Sequence, residues 1–138
     1  GKKVKDVPAD LPKVTTATNG KPSIDMNGYK GSDKLVAQTL IEGNGPEITD
    51  DTYAAVVKYT GWLLDGKQFD SSWDRNDTFT ATLNGGVIQG WTEGLRGKKV
   101  GSQVLLVVPP DLGYGDKEQG EIPANSTLVF LVDILAKY

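Results

Sequence analysis

The sequence contains no cysteine and no histidine. Without cysteine there are no disulfides, thiol nucleophiles or Cys-ligated zinc, and the redox compartment is unreadable. Without histidine there is no Ser-His-Asp catalysis and no His-ligated metal. No apolar run approaches the ~20 residues of a membrane span. Basic excess is missing too: the net charge is −3, which leaves no electrostatic footprint for nucleic acid or anionic lipid. No signal peptide is visible, and Gly1-Lys2-Lys3 reads as the start of a mature or trimmed chain. Any chemistry must rest on carboxylates, lysines, hydroxyls, backbone groups or shape.

What is present is ordinary for a globular domain. The 138 residues are 38% hydrophobic and 24% charged, enough for one domain with a real core. The stretch Val87-Ile88-Gln89-Gly90-Trp91-Thr92-Glu93-Gly94-Leu95 organises the rest. Val87, Trp91 and Leu95 are spaced i, i+4, i+8 and share one helical face. Each of its two glycines costs a helix about 1 kcal/mol against alanine, which points to a close backbone approach, here to a sheet.

Residues 1–33 are polar and turn-rich and read as an extended arm, with a short strand over Pro22–Met26 or as a partly ordered tail. Strands are expected over Leu35–Ile41, Thr52–Leu64, Lys67–Ser71, Thr78–Leu83, Ser102–Val108 and Ser126–Leu135. Asp65-Gly66 marks a hairpin, and the polar run Ser72–Asp77 interrupts the returning strand. Gly97 ends the helix. The last strand is nearly all apolar, so it is expected to be central and covered on both faces, or to cover the helix on one. Strands, one short helix, then strands argue an α+β fold with an antiparallel sheet, with residues 34–138 as one domain.

Several motifs only resemble chemistry. Gly94–Lys99 lacks the phosphate-loop spacing. Gly86–Gly94 lacks the βαβ context of a dinucleotide site. Asp70, Asp74 and Asp77 lack the calcium-loop pattern and read as a solvated acidic loop. The aromatic residues Tyr59, Phe69, Phe79, Trp91, Tyr114 and Phe130 remain. They form either a plain aromatic core or an apolar pocket with Asp70 and Tyr114 at its rim.

Tyr59-Thr60-Gly61, Asp65-Gly66-Lys67-Gln68-Phe69-Asp70-Ser71-Ser72, Val87–Leu95, Pro110-Asp111-Leu112-Gly113-Tyr114-Gly115, and Ile122-Pro123 through Leu128-Val129-Phe130 together resemble the FKBP-type peptidyl-prolyl cis–trans isomerases. The resemblance covers roughly residues 35–138 and leaves the arm outside. It implies a curved antiparallel half-barrel wrapped around one short helix. It implies a catalytic set of Asp70, Trp91, Tyr114, Ile122 and Phe130, with Trp91 as the floor beneath the proline ring. The Tyr114 hydroxyl and the Ile122 backbone N–H would hold substrate carbonyls. Ile122 precedes Pro123 and is biased to extended backbone, which would aim that N–H. Tyr59, Phe69, Phe79, Val87 and Ile88 would complete the substrate-binding wall.

The resemblance also implies proline-containing polypeptides and macrolides of the tacrolimus or rapamycin type as partners, no cofactor, no metal, and a monomer. A non-catalytic peptide-binding chaperone or adaptor on the same fold is the alternative function. The arm looks like that of exported bacterial members, so an extracytoplasmic location is expected, with a cytoplasmic one as the alternative. The charged loop Asp116–Glu121 departs from well-known members, as does Trp73 in place of a charged residue. Trp73 reads as a cap over the sheet edge or as a contact for substrate or partner.

Overall fold

A computed structural model describes all residues, 1–138. The strands are β1 (Lys2–Lys3), β2 (Lys13–Thr16), β3 (Pro22–Asp25), β4 (Val36–Glu42), β5 (Ala54–Leu63), β6 (Gln68–Ser71), β7 (Phe79–Thr82), β8 (Gln103–Val108) and β9 (Leu128–Lys137), with one helix, α1 (Gln89–Leu95), between β7 and β8. All strand pairs are antiparallel. The main sheet runs β1-β4-β8-β9-β5-β6, and β2 with β3 forms a separate hairpin. The sheet is open and wraps around α1, as an α+β fold with one short helix requires. β7 pairs with the first half of β5 and β6 with the second, so the returning strand is split by residues 72–77 as expected from their polarity.

The alternation of β5 sorts its side chains between two cores. Ala55, Val57 and Tyr59 face α1 with Trp91, Leu95, Leu106, Phe130 and Ile134. Trp62 faces the opposite side with Leu105, Val107, Val129 and Leu131. β9 lies between β8 and β5, and both its faces are buried, which is why it reads as a continuous apolar run.

The glycines of α1 set the distance between helix and sheet. A Cβ on Gly90 would lie 2.5 Å from Val108 Cγ1, and one on Gly94 would lie 2.6 Å from Leu106 Cδ2. The helix begins at Gln89 rather than Val87, because Ile88 is extended at φ −60°, ψ 150°. Val87 and Ile88 therefore lie before the first turn instead of on its face.

Residues 1–33 begin with β1 paired to β4 at the sheet edge, and the rest of the segment is ordered by the sheet's outer face. Val7, Leu11, Val14, Ile24, Met26 and Tyr29 pack on Trp62, Leu105, Val107, Val129 and Leu131. The physical reason is the second apolar face of β8 and β9, which would otherwise meet water. A strand forms at Pro22–Asp25, and its partner Lys13–Thr16 is an element the sequence did not disclose.

Asp133 places a carboxyl on that outer face, across from Lys58 and Gln103. Burial pushes its carboxyl above the ordinary range, and a 3.1 Å hydrogen bond from Gln103 only partly opposes this. Its cross-strand neighbour Lys58 instead places its ammonium 4.2 Å from the Trp73 ring centroid. A carboxyl raised on folding loses stability as pH climbs from the unfolded-state pKa through the folded one, and the loss persists above. Asp133→Asn keeps polar contacts to Gln103 and removes the charge. It is expected to raise Tm at pH 7 by about 2–5 °C. That gain should shrink as pH falls through the carboxylate range. An unchanged or lowered calorimetric Tm at pH 7 would remove burial as the dominant effect.

Candidate functional site

Tyr59, Phe69, Asp70, Phe79, Val87, Ile88, Trp91, Tyr114 and Phe130 line one cavity of about 150 Å³, with Gly86 at its edge. They come from β5, β6, β7, the segment before α1, α1 itself, the turn after Pro110–Leu112, and β9. Trp91 is 3% exposed and forms the centre of the ring contacts. Edge-to-face pairs join it to Tyr59 at 5.1 Å, Phe130 at 5.4 Å and Phe79 at 6.0 Å between centroids. Phe69 meets Phe130 at 5.6 Å. These perpendicular pairings leave ring faces towards the cavity and lock one another's rotamers. Gly61 makes room for them, since a Cβ there would lie 2.6 Å from Phe69 Cζ and 2.9 Å from Phe130 Cε1.

A second cleft adjoins the first. Phe69, Asp70 and Tyr114 line both, and Gln119, Gly120, Glu121 and Ile122 complete it. Tyr114 is 38% exposed and stands at the junction. The larger groove of about 460 Å³ lies across the Asn84–Val87 turn and is lined chiefly by polar groups such as Thr49, Asp50, Asp51 and Arg96. Tyr53 is its single aromatic residue, and Arg96 is held by Asp50 at 2.7 Å, so it does not share the chemistry of the ring-lined cavity.

The polar part of the site is a three-residue network. The Tyr59 hydroxyl donates a short hydrogen bond to Asp70 Oδ2. Arg75 donates to Asp70 Oδ1 at 2.6 Å and to the Tyr59 oxygen at 3.4 Å. Burial, reinforced by the Asp70 contact, pushes the Tyr59 hydroxyl up to about 12. Burial alone would raise Asp70, but the hydrogen bonds from Tyr59 and Arg75 outweigh it and hold the carboxyl below its ordinary value. The cavity thus carries a neutral phenol and a fixed carboxylate, both held by a guanidinium outside its lining. Arg75 was missed in the sequence because it sits in a polar run that reads as loop. Its five-residue spacing from Asp70 was the one available signal.

Ile122 requires a correction. Its backbone N–H donates to Gln119 O at 2.8 Å, and Gln119 N–H returns a bond to Ile122 O at 2.9 Å. Gly120 at φ +56° closes this turn. The N–H is therefore engaged by the loop and is not aimed at a ligand, while the buried Ile122 side chain lines the second cleft. The backbone N–H of Ile88 takes no partner within the chain: it precedes the first helical turn and no side chain caps it.

A family model described as "FKBP-type peptidyl-prolyl cis-trans isomerase" matches residues 45–135. The chain belongs to the FKBP-type peptidyl-prolyl cis–trans isomerase family. Similar proteins include "FKBP-type peptidyl-prolyl cis-trans isomerase FkpA" of Escherichia coli K12, 44% identical over 108 residues, covering 78% of this chain and 40% of that one. The "FK506-binding protein" of Neisseria meningitidis serogroup A is 43% identical over 106 residues, covering 75% of this chain and 96% of that one. The crystal structure of FkpA from Escherichia coli superposes with a TM-score of 0.69 at 40% identity, over 90% of this chain and 51% of that chain. A peptidyl-prolyl cis–trans isomerase from Pseudomonas syringae gives 0.68 at 32% identity, over 78% of each chain. This chain spans about two fifths of the FkpA sequence it matches. The matched residues of the FKBP-type model include every residue that lines the ring-walled cavity.

Proposed function

We propose that residues 34–138 form a peptidyl-prolyl cis–trans isomerase domain that accelerates rotation about X–Pro bonds in folding polypeptides, and that residues 1–33 are an arm that adds the edge strand β1 and then covers the outer face. The observation that carries this is the cavity walled by Tyr59, Phe69, Phe79, Trp91 and Phe130, open to a second cleft past Tyr114.

The uncatalysed rotation faces a barrier of ~18–20 kcal/mol and takes tens to hundreds of seconds. No bond breaks, so no nucleophile or metal is needed. The planar amide is stiff because of charge-separated resonance, which water stabilises. The twisted transition state has lost that resonance and is less polar at oxygen. A water-poor ring-lined cavity therefore favours the twisted form over the planar one. Trp91 supplies the floor for the proline ring. The Tyr114 hydroxyl and the unengaged Ile88 N–H orient the chain on either side of the bond. Asp70, fixed by Tyr59 and Arg75, sets the polarity of the rim.

Shortening a ~100 s event to ~10 ms takes about 10⁴-fold, or roughly 5.5 kcal/mol. Burying a proline and one apolar neighbour yields about 4–5 kcal/mol, reduced by ordering, so peptide affinity near millimolar or weaker follows. The relatives called FK506-binding proteins support the same cavity as a site for macrolides of the tacrolimus or rapamycin type. Action as a monomer outside the cytoplasm belongs to the same proposal. A full-length gene without an export or anchor signal would remove the location.

The Tyr59–Asp70–Arg75 network predicts a particular pH profile. Asp70 is ionised and Tyr59 neutral throughout pH 5–9, so acceleration of X–Pro exchange is expected to vary by less than about twofold over that range. A bell-shaped profile centred there would mean that another titrating group takes part. Asp70's contribution to stability has the depressed-carboxyl sign. It is full above the ordinary carboxylate pKa and is lost as pH falls through the lowered folded value.

A further inference from the structure

One short turn carries contacts on both sides of the sheet. Residues Trp73–Arg75 form a single 3-10 turn between β6 and β7. It is pinned to the pocket strand at its start: Ser72 N–H donates to Tyr59 O at 3.0 Å, and Tyr59 N–H donates to Ser72 Oγ at 2.8 Å. Arg75, the last residue of the turn, holds Asp70 and Tyr59 at the cavity rim.

The two preceding residues are held from elsewhere. The tip of the β2–β3 hairpin lies against the Trp73 ring so closely that a Cβ on Gly20 would fall 2.5 Å from Trp73 Cη2. Gly20 also sits at φ +93°, a conformation that glycine adopts without strain. The Lys58 ammonium lies 4.2 Å from the centroid of the same ring. Next to it, Lys21 Nζ pairs with Asp74 Oδ1 at 2.5 Å, and Gln68 Nε2 donates to Asp74 Oδ2 at 2.8 Å. Trp73 is therefore a cap, and what it caps is the junction between hairpin and sheet rather than the cavity. Arg75 N–H donates to Ser72 O at 3.2 Å and Asn76 N–H to Trp73 O at 3.1 Å, which ties the three residues of the turn to one another.

We infer that the N-terminal hairpin is a positioning element for the pocket: Gly20 and Lys21 fix Trp73 and Asp74, and the turn thereby holds Arg75 on Asp70 and Tyr59. Trp73 is a positioning residue that touches no substrate. A hairpin lifted from the outer face leaves Arg75 free and the Asp70 rim disordered. The activity readout of this inference rests on the isomerase proposal; its electrostatic readout does not.

The test uses the full chain with Trp73→Ala, Trp73→Phe, Lys21→Ala and Arg75→Ala, and reads the Asp70 carboxyl titration by NMR together with kcat and KM for a Leu-Pro peptide. Trp73→Ala is expected to move the Asp70 midpoint upward and to raise KM about three- to tenfold with kcat within about twofold. Trp73→Phe should restore both, because a ring still rests on Gly20. Lys21→Ala, at a half-exposed pair, keeps the fold and shifts Asp70 the same way by less. The Trp73→Ala/Arg75→Ala double variant should be no worse than Arg75→Ala alone, since both act through one contact. An unmoved Asp70 midpoint in Trp73→Ala and Lys21→Ala, or additive losses in the double variant, overturns the coupling. If Trp73→Ala does not fold, the Lys21→Ala midpoint decides. If the unmodified chain fails to accelerate exchange while Asp70 still responds, the isomerase proposal falls and the coupling stands.

Discussion

Trp91→Leu is expected to lower catalysed X–Pro exchange at least tenfold while the chain still folds. Trp91 is 3% exposed, sits on α1 at the floor of the cavity, and makes edge-to-face contacts with Tyr59, Phe79 and Phe130. Leucine removes three aromatic pairs, each worth about 0.5–1.5 kcal/mol, and leaves part of the indole volume empty. A stability loss of about 2–4 kcal/mol follows, read by denaturant unfolding with an unchanged m-value. The activity loss has a separate origin. The floor that packs against the proline ring drops away and water enters beneath the amide, which erases the preference for the twisted form. Exchange measured in the folded variant separates the two effects. Full activity in a destabilised but folded Trp91→Leu would place the reaction elsewhere.

The second large effect is expected at a residue that contacts no ligand. Gly90→Val adds a branched side chain where even a Cβ would come within 2.5 Å of Val108 Cγ1 and 2.8 Å of Val108 Cγ2. The obstacle is the side chain of a fully buried residue in β8, held by β4 and β9 on either side, so it cannot swing clear. Helix and sheet must separate, and overpacking of this kind destabilises by about 1–3 kcal/mol or more. Because α1 carries Trp91, the same displacement opens the cavity and weakens peptide binding. Gly97→Ala, where no atom lies within 4 Å of the added methyl, is the comparison. It carries only the backbone strain of φ +86°. Equal Tm values for Gly90→Val and the unmodified chain would show that the helix–sheet distance is slack.

These two sites also show what the sequence makes legible. The i, i+4 spacing of Trp91 and Leu95 announces a helix with one buried face, although Val87 lies before its first turn, and Gly90 and Gly94 announce a close neighbour. Period-two alternation in β5 separates Tyr59 from Trp62, which lie in opposite cores. The expected cavity wall comes from the resemblance of its motifs to the FKBP-type family, since the aromatic residues by themselves fit a plain core equally well. What is not legible depends on contacts that no local period records. Val7, Leu11, Val14, Ile24, Met26 and Tyr29 follow no single repeat across the arm, and the surface they cover comes mostly from strands some eighty residues and more away. Their order follows from the second apolar face of β8 and β9. Arg75 reaches Asp70 only because a 3-10 turn folds the polar run back on itself. The Ile122 N–H is extended by its following proline, yet a reciprocal pair of hydrogen bonds with Gln119 claims it, and the free donor beside the cavity is Ile88 instead.

The measurement that tests the central claim most directly is exchange between the cis and trans forms of a Leu-Pro peptide, followed by NMR with and without catalytic amounts of this protein. Acceleration of the order of 10⁴-fold per bound peptide, abolished by one equivalent of a tacrolimus-type macrolide, is the predicted result. Peptide binding at the cavity with no change in the exchange rate would contradict it and leave a recognition module on the same fold.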